Sequence, residues 1–492
     1  MPLAPPAPGG PLSDPRPLLA WTLLLVLAGC AQPGLPAPPV PPEASAIAAA
    51  APPGWWTQLH DPAIDALAQA ALLDSPTLAQ ALARIDEARA TLGNADAQRL
   101  PTVGASAGLT RASSLNTSGQ GGTTTLSSST SVGPSFAWEI DLFGRVRQSR
   151  QAAQHRLDAR SADAAGTRLA LAADVAGGVL QLRACESTRR VLFRDIASRE
   201  MTLMLTRRRL EAGFVAPVDE ARAVSGLAAV RINLEVQAEQ CARQVNALVA
   251  LSGQPVQAVR ALLAQPLPGT PAGSDALVMP QAPSLPAVLP AVVLAAHPSV
   301  VAAARDAEAA RADIGVARAE RLPRLDLAAL LTGQWLHAAG STLQATTWSL
   351  GPAVSASVFD GGSGAARVGA AEARYQGAAA ALRAALRTAA QDIENALAAA
   401  ASADARAEPA RQSVDAARTA LTALQAQWQA GAVSLFELED GRRQFASAQD
   451  NAIAAARDRA LAWVSLVRAS GQVAFTPETI DSHEERWLSS SR

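Results

Sequence analysis

Two acidic side chains in the stretch "WQAGAVSLFELEDG" are the first candidates for ionic chemistry. Glu437 and Asp440 follow Gly431 by six and nine residues. Three apart, they share one face of a helix, where gathered carboxylates attract cations. The plain alternative is a solvated acidic face, to which Glu439 would add. After Gly213 the same two spacings carry Asp219 and Arg222, which can pair locally. Cys185 and Cys241 offer redox chemistry. They lie 28 residues before and 28 after Gly213, so a helical hairpin turning there brings them to one height. In an oxidising compartment they can bond; two small buried residues are the alternative. His60, His155, His297, His337 and His483 are scattered, with no pair at ligand spacing, so no metal site is expected. "GGSG" at 361–364 lacks the lysine of a phosphate loop, and all 42 basic residues of the chain are Arg. No nucleophile stands with a base, so neither an enzyme nor a cofactor is expected. A net charge of −1 leaves no footprint for nucleic acid.

The elements that must position these residues are long. The chain has 492 residues, of which 49% are hydrophobic and only 4% aromatic. That composition suits close-packed Ala-rich helices better than a large globular core. Residues 18–29 form an apolar run after Arg16 that is too short to span a bilayer, and they read as the end of a signal peptide, 1–29. Cys30 follows, then a Pro-rich spacer to residue 54.

Landmarks then recur in order. "DSPTLAQALA" and "AHPSVVAAAR", and likewise "QRLPTV" and "ERLPRL", are offset by 222 residues; Gly133-Pro134 and Gly351-Pro352, Gly213 and Gly431, "LSGQ" and "ASGQ" are offset by 218. The chain is a tandem repeat, 55–253 and 291–472, with a linker at 254–290 and a tail at 473–492. Each half predicts a helix (75–99 in the first, with Leu78, Leu82 and Ile85 on one stripe) and then two alternating strands. The first half has Val103, Ala105, Ala107 and Leu109, a loop over roughly 112–128, then Val132, Phe136, Trp138 and Ile140. The second repeats the alternation around Leu325–Leu331 and Trp348–Val358. Trp138, Trp335 and Trp348 are expected near strand ends, as in membrane barrels. Pro134 and Pro352 predict a bend or bulge. Rods of about 68 residues follow, over 143–210 and 362–429, with a kink or break expected at Pro409. Four strands cannot close a barrel; two copies of the chain would supply eight and three would supply twelve.

Trp55, Trp56, Leu59, Asp61, Pro62 and Leu67, then Ser75-Pro76 and Leu82, Arg84 and Ala88, resemble the opening motif of the TolC-like outer-membrane efflux proteins. "LAGC" at Leu27–Cys30 resembles a lipobox, placing the chain in their lipoprotein branch. One departure is His297-Pro298-Ser299, where the family commonly has Arg-Pro-Asp. The resemblance implies an α+β membrane protein: a homotrimer whose twelve-stranded β-barrel, four strands per chain, continues as an α-helical periplasmic tunnel. It implies acylation of Cys30 and anchorage in outer-membrane lipid, Ala31 favouring that membrane over the inner one. The hairpin tips at Gly213, Phe214, Val215, Gly431, Ala432 and Val433 would meet a periplasmic adaptor, and through it an inner-membrane pump. Glu437 and Asp440 would ring the closed aperture. The implied function is an exit duct for small toxic compounds. A duct for secreted proteins and a non-conducting lipid-anchored scaffold are the alternatives.

Overall fold

The computed structural model describes residues 54–116, 123–268, 279–283, 291–338 and 340–471. Cys30 and the tail from 473 lie outside the described residues. A 3-10 turn at Trp55–Leu59 leads into α1 (Pro62–Asp74), α2 (Pro76–Ala97), β1 (Thr102–Asn116), β2 (Thr123–Ile140), α3 (Arg145–Glu211), α4 (Pro217–Ser252) and α5 (Val256–Ala264). Then come α6 (Ala291–Ala296), α7 (Pro298–Ala319), β3 (Arg324–Ala338), β4 (Ser341–Ser355), α8 (Ser363–Gln429) and α9 (Leu435–Ala469). The repeat is visible in the lengths: α2 and α7 have 22 residues each, α3 and α8 have 67 each.

Local chemistry explains where helices begin. Asp61 accepts from Ala63 N–H, Ser75 from Leu78 N–H and His297 from Ser299 N–H, each followed at once by a proline. A polar cap satisfies an orphan amide, and proline at the first position has no amide to lose. His297 thus supplies an N-cap in the triplet that departs from the family pattern. Asp61 is also held by Arg183 of α3, whose Nη2 donates to its Oδ1 at 2.7 Å; both residues are buried. This pair docks the N-terminal turn onto the rod, beside a core of Trp55, Trp56, Leu67, Val179, Leu248 and Trp463.

The four strands form one antiparallel sheet in the order β1-β2-β3-β4. Three sequence expectations need correction. The strands reach well into the supposed loop at 112–128: the ladder runs to Asn116 opposite Thr123, because the Ser and Thr residues there still pair through their backbone. Trp348 lies in the middle of β4, opposite Leu331, not near its end. Neither proline creates a bulge. Val132 faces Gly333 and Ser135 faces Leu330, so the β2–β3 register is the same on both sides of Gly133-Pro134 and only local pairing lapses. Pro352 stays paired with Leu327.

Helix α8 also runs unbroken through Pro409. Proline removes one intrahelical bond, but ion pairs on the N-terminal side of it fasten α8 to α9. Arg406 donates to Asp458 at 3.0 Å, and Arg459 to Asp404 at 2.6 Å. At 1.5 Å per residue each rod is about 100 Å long. Rod α3 packs on α2, α4, α7 and α9, while α8 packs on α7 and α9. Among the described residues no single helix is long and apolar enough to cross a membrane.

Candidate functional site

The hairpin ends are built alike. Gly213 and Gly431 take φ of +78° and +76°, a left-handed conformation that glycine adopts without the strain of a Cβ. In the first turn Phe214 N–H donates to Arg209 C=O at 2.8 Å and Gly213 N–H to Leu210 C=O at 2.9 Å. In the second, Ala432 donates to Gln427 at 2.9 Å and Gly431 to Trp428 at 3.0 Å. Both are Schellman closures, which satisfy carbonyls orphaned at a helix end. Arg209 ties the two ends together. It donates to the carbonyls of Trp428 (3.2 Å) and Gln429 (2.8 Å), and its guanidinium lies 4.5 Å from the Trp428 ring centroid. A cation at the C-terminus of α8 also complements the helix dipole.

The proposed tip residues differ in accessibility. Phe214 is 81% exposed, whereas Val433 packs against a buried cluster of Leu203, Leu227, Trp428 and Leu438. Phe436, three residues after Val433 and not among the expected tip residues, is 59% exposed.

Glu437 and Asp440 both line a groove of about 220 Å³ between α8 and α9, with Leu424 and Phe436. Gly441 allows this close approach: a Cβ there would come within 2.5 Å of Leu424 Cδ1. The two carboxylates have local partners. Glu437 closes a capping box with Ser434, accepting from its backbone N–H at 2.8 Å. Asp440 accepts from Arg443 at 2.9 Å and Gln444 at 2.7 Å. Asp219 and Arg222 approach at 3.7 Å, so the first hairpin's counterpart is self-neutralised.

Glu439 belongs to a different assembly. It is 9% exposed and accepts from Arg199 of α3 and from Arg442 Nη1 at 2.9 Å. Arg442 further donates to Thr202 Oγ1 (2.6 Å) and Ser198 Oγ (3.0 Å), and Arg199 to Asp195 at 2.9 Å. Burial pushes the Arg442 pKa down, partly opposed by Glu439. The absence of a side chain at Gly226 of α4 keeps room for the pair: a Cβ would lie 2.9 Å from Arg199 Nη1. This network joins the two hairpins just behind their tips. An acidic residue flanked by Leu438 and followed three positions later by Arg was its sole trace in the sequence. Cys185 and Cys241 are joined as a disulfide across α3 and α4, with Cα atoms 5.7 Å apart. Among the described residues no group of His, Cys, Asp and Glu could hold a metal ion.

Comparison with known proteins agrees with this architecture. The family profile described as outer membrane efflux protein matches residues 67–254 and 289–472, one segment in each half. The chain is 30% identical to the pyoverdine export outer membrane protein OpmQ of Pseudomonas aeruginosa, over 85% of this chain and 86% of that one. It is also 30% identical to the outer membrane protein OprJ of Pseudomonas aeruginosa, over 85% of each. A crystal structure of a membrane protein from Pseudomonas aeruginosa superposes with a TM-score of 0.74 at 28% identity, over 85% of this chain and 92% of that one. With both halves matched and the strand–rod–hairpin plan present twice, the chain belongs to the outer membrane efflux protein family.

Proposed function

We propose that three copies of this chain form an outer-membrane exit duct that passively conducts small toxic compounds from an inner-membrane pump and periplasmic adaptor to the exterior. The observation that carries this reading is the open sheet. Among the described residues strand β1 pairs only with β2, and β4 only with β3, so the sheet has two open edges. Unpaired backbone groups are not tolerated in lipid, so a sheet there must close on itself. Copies related by a rotation axis join β4 of one to β1 of the next, and three make twelve strands.

The rods continue the barrel as a tunnel about 100 Å long. Its far end is the pair of glycine turns, where Gly213, Phe214, Val215, Gly431, Ala432 and Val433 meet the adaptor. Exposed Phe214 and Phe436 provide apolar anchors there. Glu437 and Asp440, brought together in triplicate, form the cation-preferring aperture. Cys30 is acylated and anchors the chain in the outer membrane. OpmQ is named for export of pyoverdine, which favours small-molecule cargo over secreted protein.

Planar-bilayer recording of the purified full-length protein tests the reading. Stepwise, cation-preferring conductance from a species with the mass of a trimer is the expected result. Membrane binding with no conductance would leave the scaffold alternative. Mass spectrometry of the mature N-terminus tests the anchor, and an unmodified Cys30 would remove it.

A further inference from the structure

The strand register sorts the side chains of the sheet onto two faces. Odd residues of β1 and β3 share a face with even residues of β2 and β4. This face carries Val103, Leu109, Phe136, Trp138, Leu327 and Trp335, while the other is mostly Ser, Thr, Gly and Ala. In a membrane barrel the apolar face meets lipid; this step rests on the duct reading above. From Leu325 to Trp335 the apolar stretch of β3 runs roughly 34 Å along the strand. At a tilt of about 40° that is roughly 26 Å of height, the size of a hydrocarbon band. Trp138 stands at the end joined to the helices and Trp335 at the opposite end, as girdles do.

The next lipid-facing position beyond this band is polar on every strand. Arg111 lies opposite Ser128, Ser128 opposite His337, and His337 opposite Thr342. The four form one row across the whole sheet, and His337 Nδ1 is 2.9 Å from Thr342 Oγ1. Arg111, His337 and Thr342 are exposed. Arg111 and His337 are the only ionisable side chains on this face of the described strands; Glu139, Arg324 and Asp326 are on the other. Arg111 makes no ion pair with a described residue.

We propose that this row binds the phosphorylated headgroup of a glycolipid in the outer leaflet. Its place is decisive: it sits at the end of the sheet away from the helices, one step past the Trp335 girdle, where headgroups begin. Its chemistry matches. A guanidinium fork grips phosphate through two N–H donors, and the Ser128 and Thr342 hydroxyls can donate to remaining oxygens. Arg111 and His337 are two strand spacings apart, about 9.6 Å, so one headgroup bearing two phosphates can engage both. In a closed trimer the pattern repeats three times, giving a basic belt on an otherwise uncharged wall.

The test uses the full-length protein in phosphatidylcholine nanodiscs doped with lipid A, either bisphosphorylated or dephosphorylated. Native mass spectrometry after detergent release counts the retained lipid, and conductance of the same preparation is recorded in parallel. Retention of the bisphosphorylated form several-fold above the dephosphorylated form is expected. In Arg111→Gln with His337→Gln the preference should vanish while conductance is unchanged, and Arg111→Lys should keep most of it. Equal retention of both lipids by the unaltered protein overturns the site, as does undiminished preference in the double variant. A preparation that conducts without preference overturns the lipid row and leaves the duct standing. One that shows preference without conducting supports the row and counts against the duct.

Discussion

Replacing Glu439 by Ala should loosen the joint between the two hairpins more than any other single acidic truncation near the tips. The change leaves Arg199 and Arg442, which are 6% and 5% exposed, without their shared acceptor. Arg199 retains Asp195, but Arg442 keeps only the hydroxyls of Thr202 and Ser198 among its charged and polar side-chain acceptors. Breaking a buried ion pair from one side costs about 3–5 kcal/mol. The surviving partners argue for the lower end, about 3 kcal/mol, since Asp195 and the hydroxyls still solvate part of the charge. At 1.36 kcal/mol per factor of ten that is roughly a 150-fold change in a local opening constant. Hydrogen exchange of the reconstituted protein, read on peptides spanning 195–206 and 435–446, measures it. Exchange there should quicken by about two orders of magnitude, with the strands and α2 unaffected. Acceleration of less than a few-fold would refute the reasoning. A second variant separates charge from packing: Arg199→Met, Glu439→Leu and Arg442→Met together should cost much less, because both buried arginines are gone and Asp195, the one ion that loses its partner, is partly exposed. If the triple variant exchanges as fast as Glu439→Ala, lost packing rather than stranded charge is the cause.

Glu437→Gln with Asp440→Asn should lower cation selectivity and abolish block by multivalent cations while trimers persist, since Gln can still close the Ser434 capping box; an unchanged reversal potential and unchanged block would place the constriction elsewhere. Thiol titration of unfolded, unreduced protein should find no free thiol at Cys185 or Cys241, and Cys185→Ser with Cys241→Ser should cost up to about 4 kcal/mol for a loop of this size; two titratable thiols refute the bond. Burial holds the His297 pKa below its ordinary 6.5, against the raising influence of Asp392. The unfolded chain therefore binds the proton more readily, and the cap's contribution is complete above about 6.5 and lost as pH falls. Exchange at the start of α7 should rise between pH 7.5 and 5 in the native protein but much less in His297→Asp, and equal pH dependence in the two would count against the cap.

Much of the plan is legible in the sequence because it depends on neighbouring residues. The two glycine turns, the proline-led helix starts, the alternation in the strands and the 218- and 222-residue offsets are local or repetitive signals. They set backbone conformation within a few residues, and reading them needs no knowledge of what packs against them. Pairing across the supposed 112–128 loop was missed because Ser- and Thr-rich sequence reads as loop until a partner strand is present to receive its hydrogen bonds. The prolines misled for the same reason: helix α8 passes Pro409 while fastened to α9 by ion pairs that no pattern in its own stretch announces.

The ionic joints lie further still from sequence reasoning. Arg183 meets Asp61 across 122 residues, Arg209 meets Trp428 across 219, and Arg199 meets Glu439 across 240. The run Glu437, Glu439, Asp440 shows why. Successive residues turn about 100° around a helix axis, so Glu439 points away from the face that Glu437 and Asp440 share, but sequence alone does not say which of the two faces is buried. Tertiary packing chose between them: the rotation of α9 against α3 turned Glu439 inward onto two arginines and left Glu437 and Asp440 on the groove with α8. The sequence by itself determined the repeat, the elements and their turns, because those obey short-range rules. Only the tertiary structure decided which charges are buried, because that is a property of helix azimuth and of neighbours hundreds of residues away.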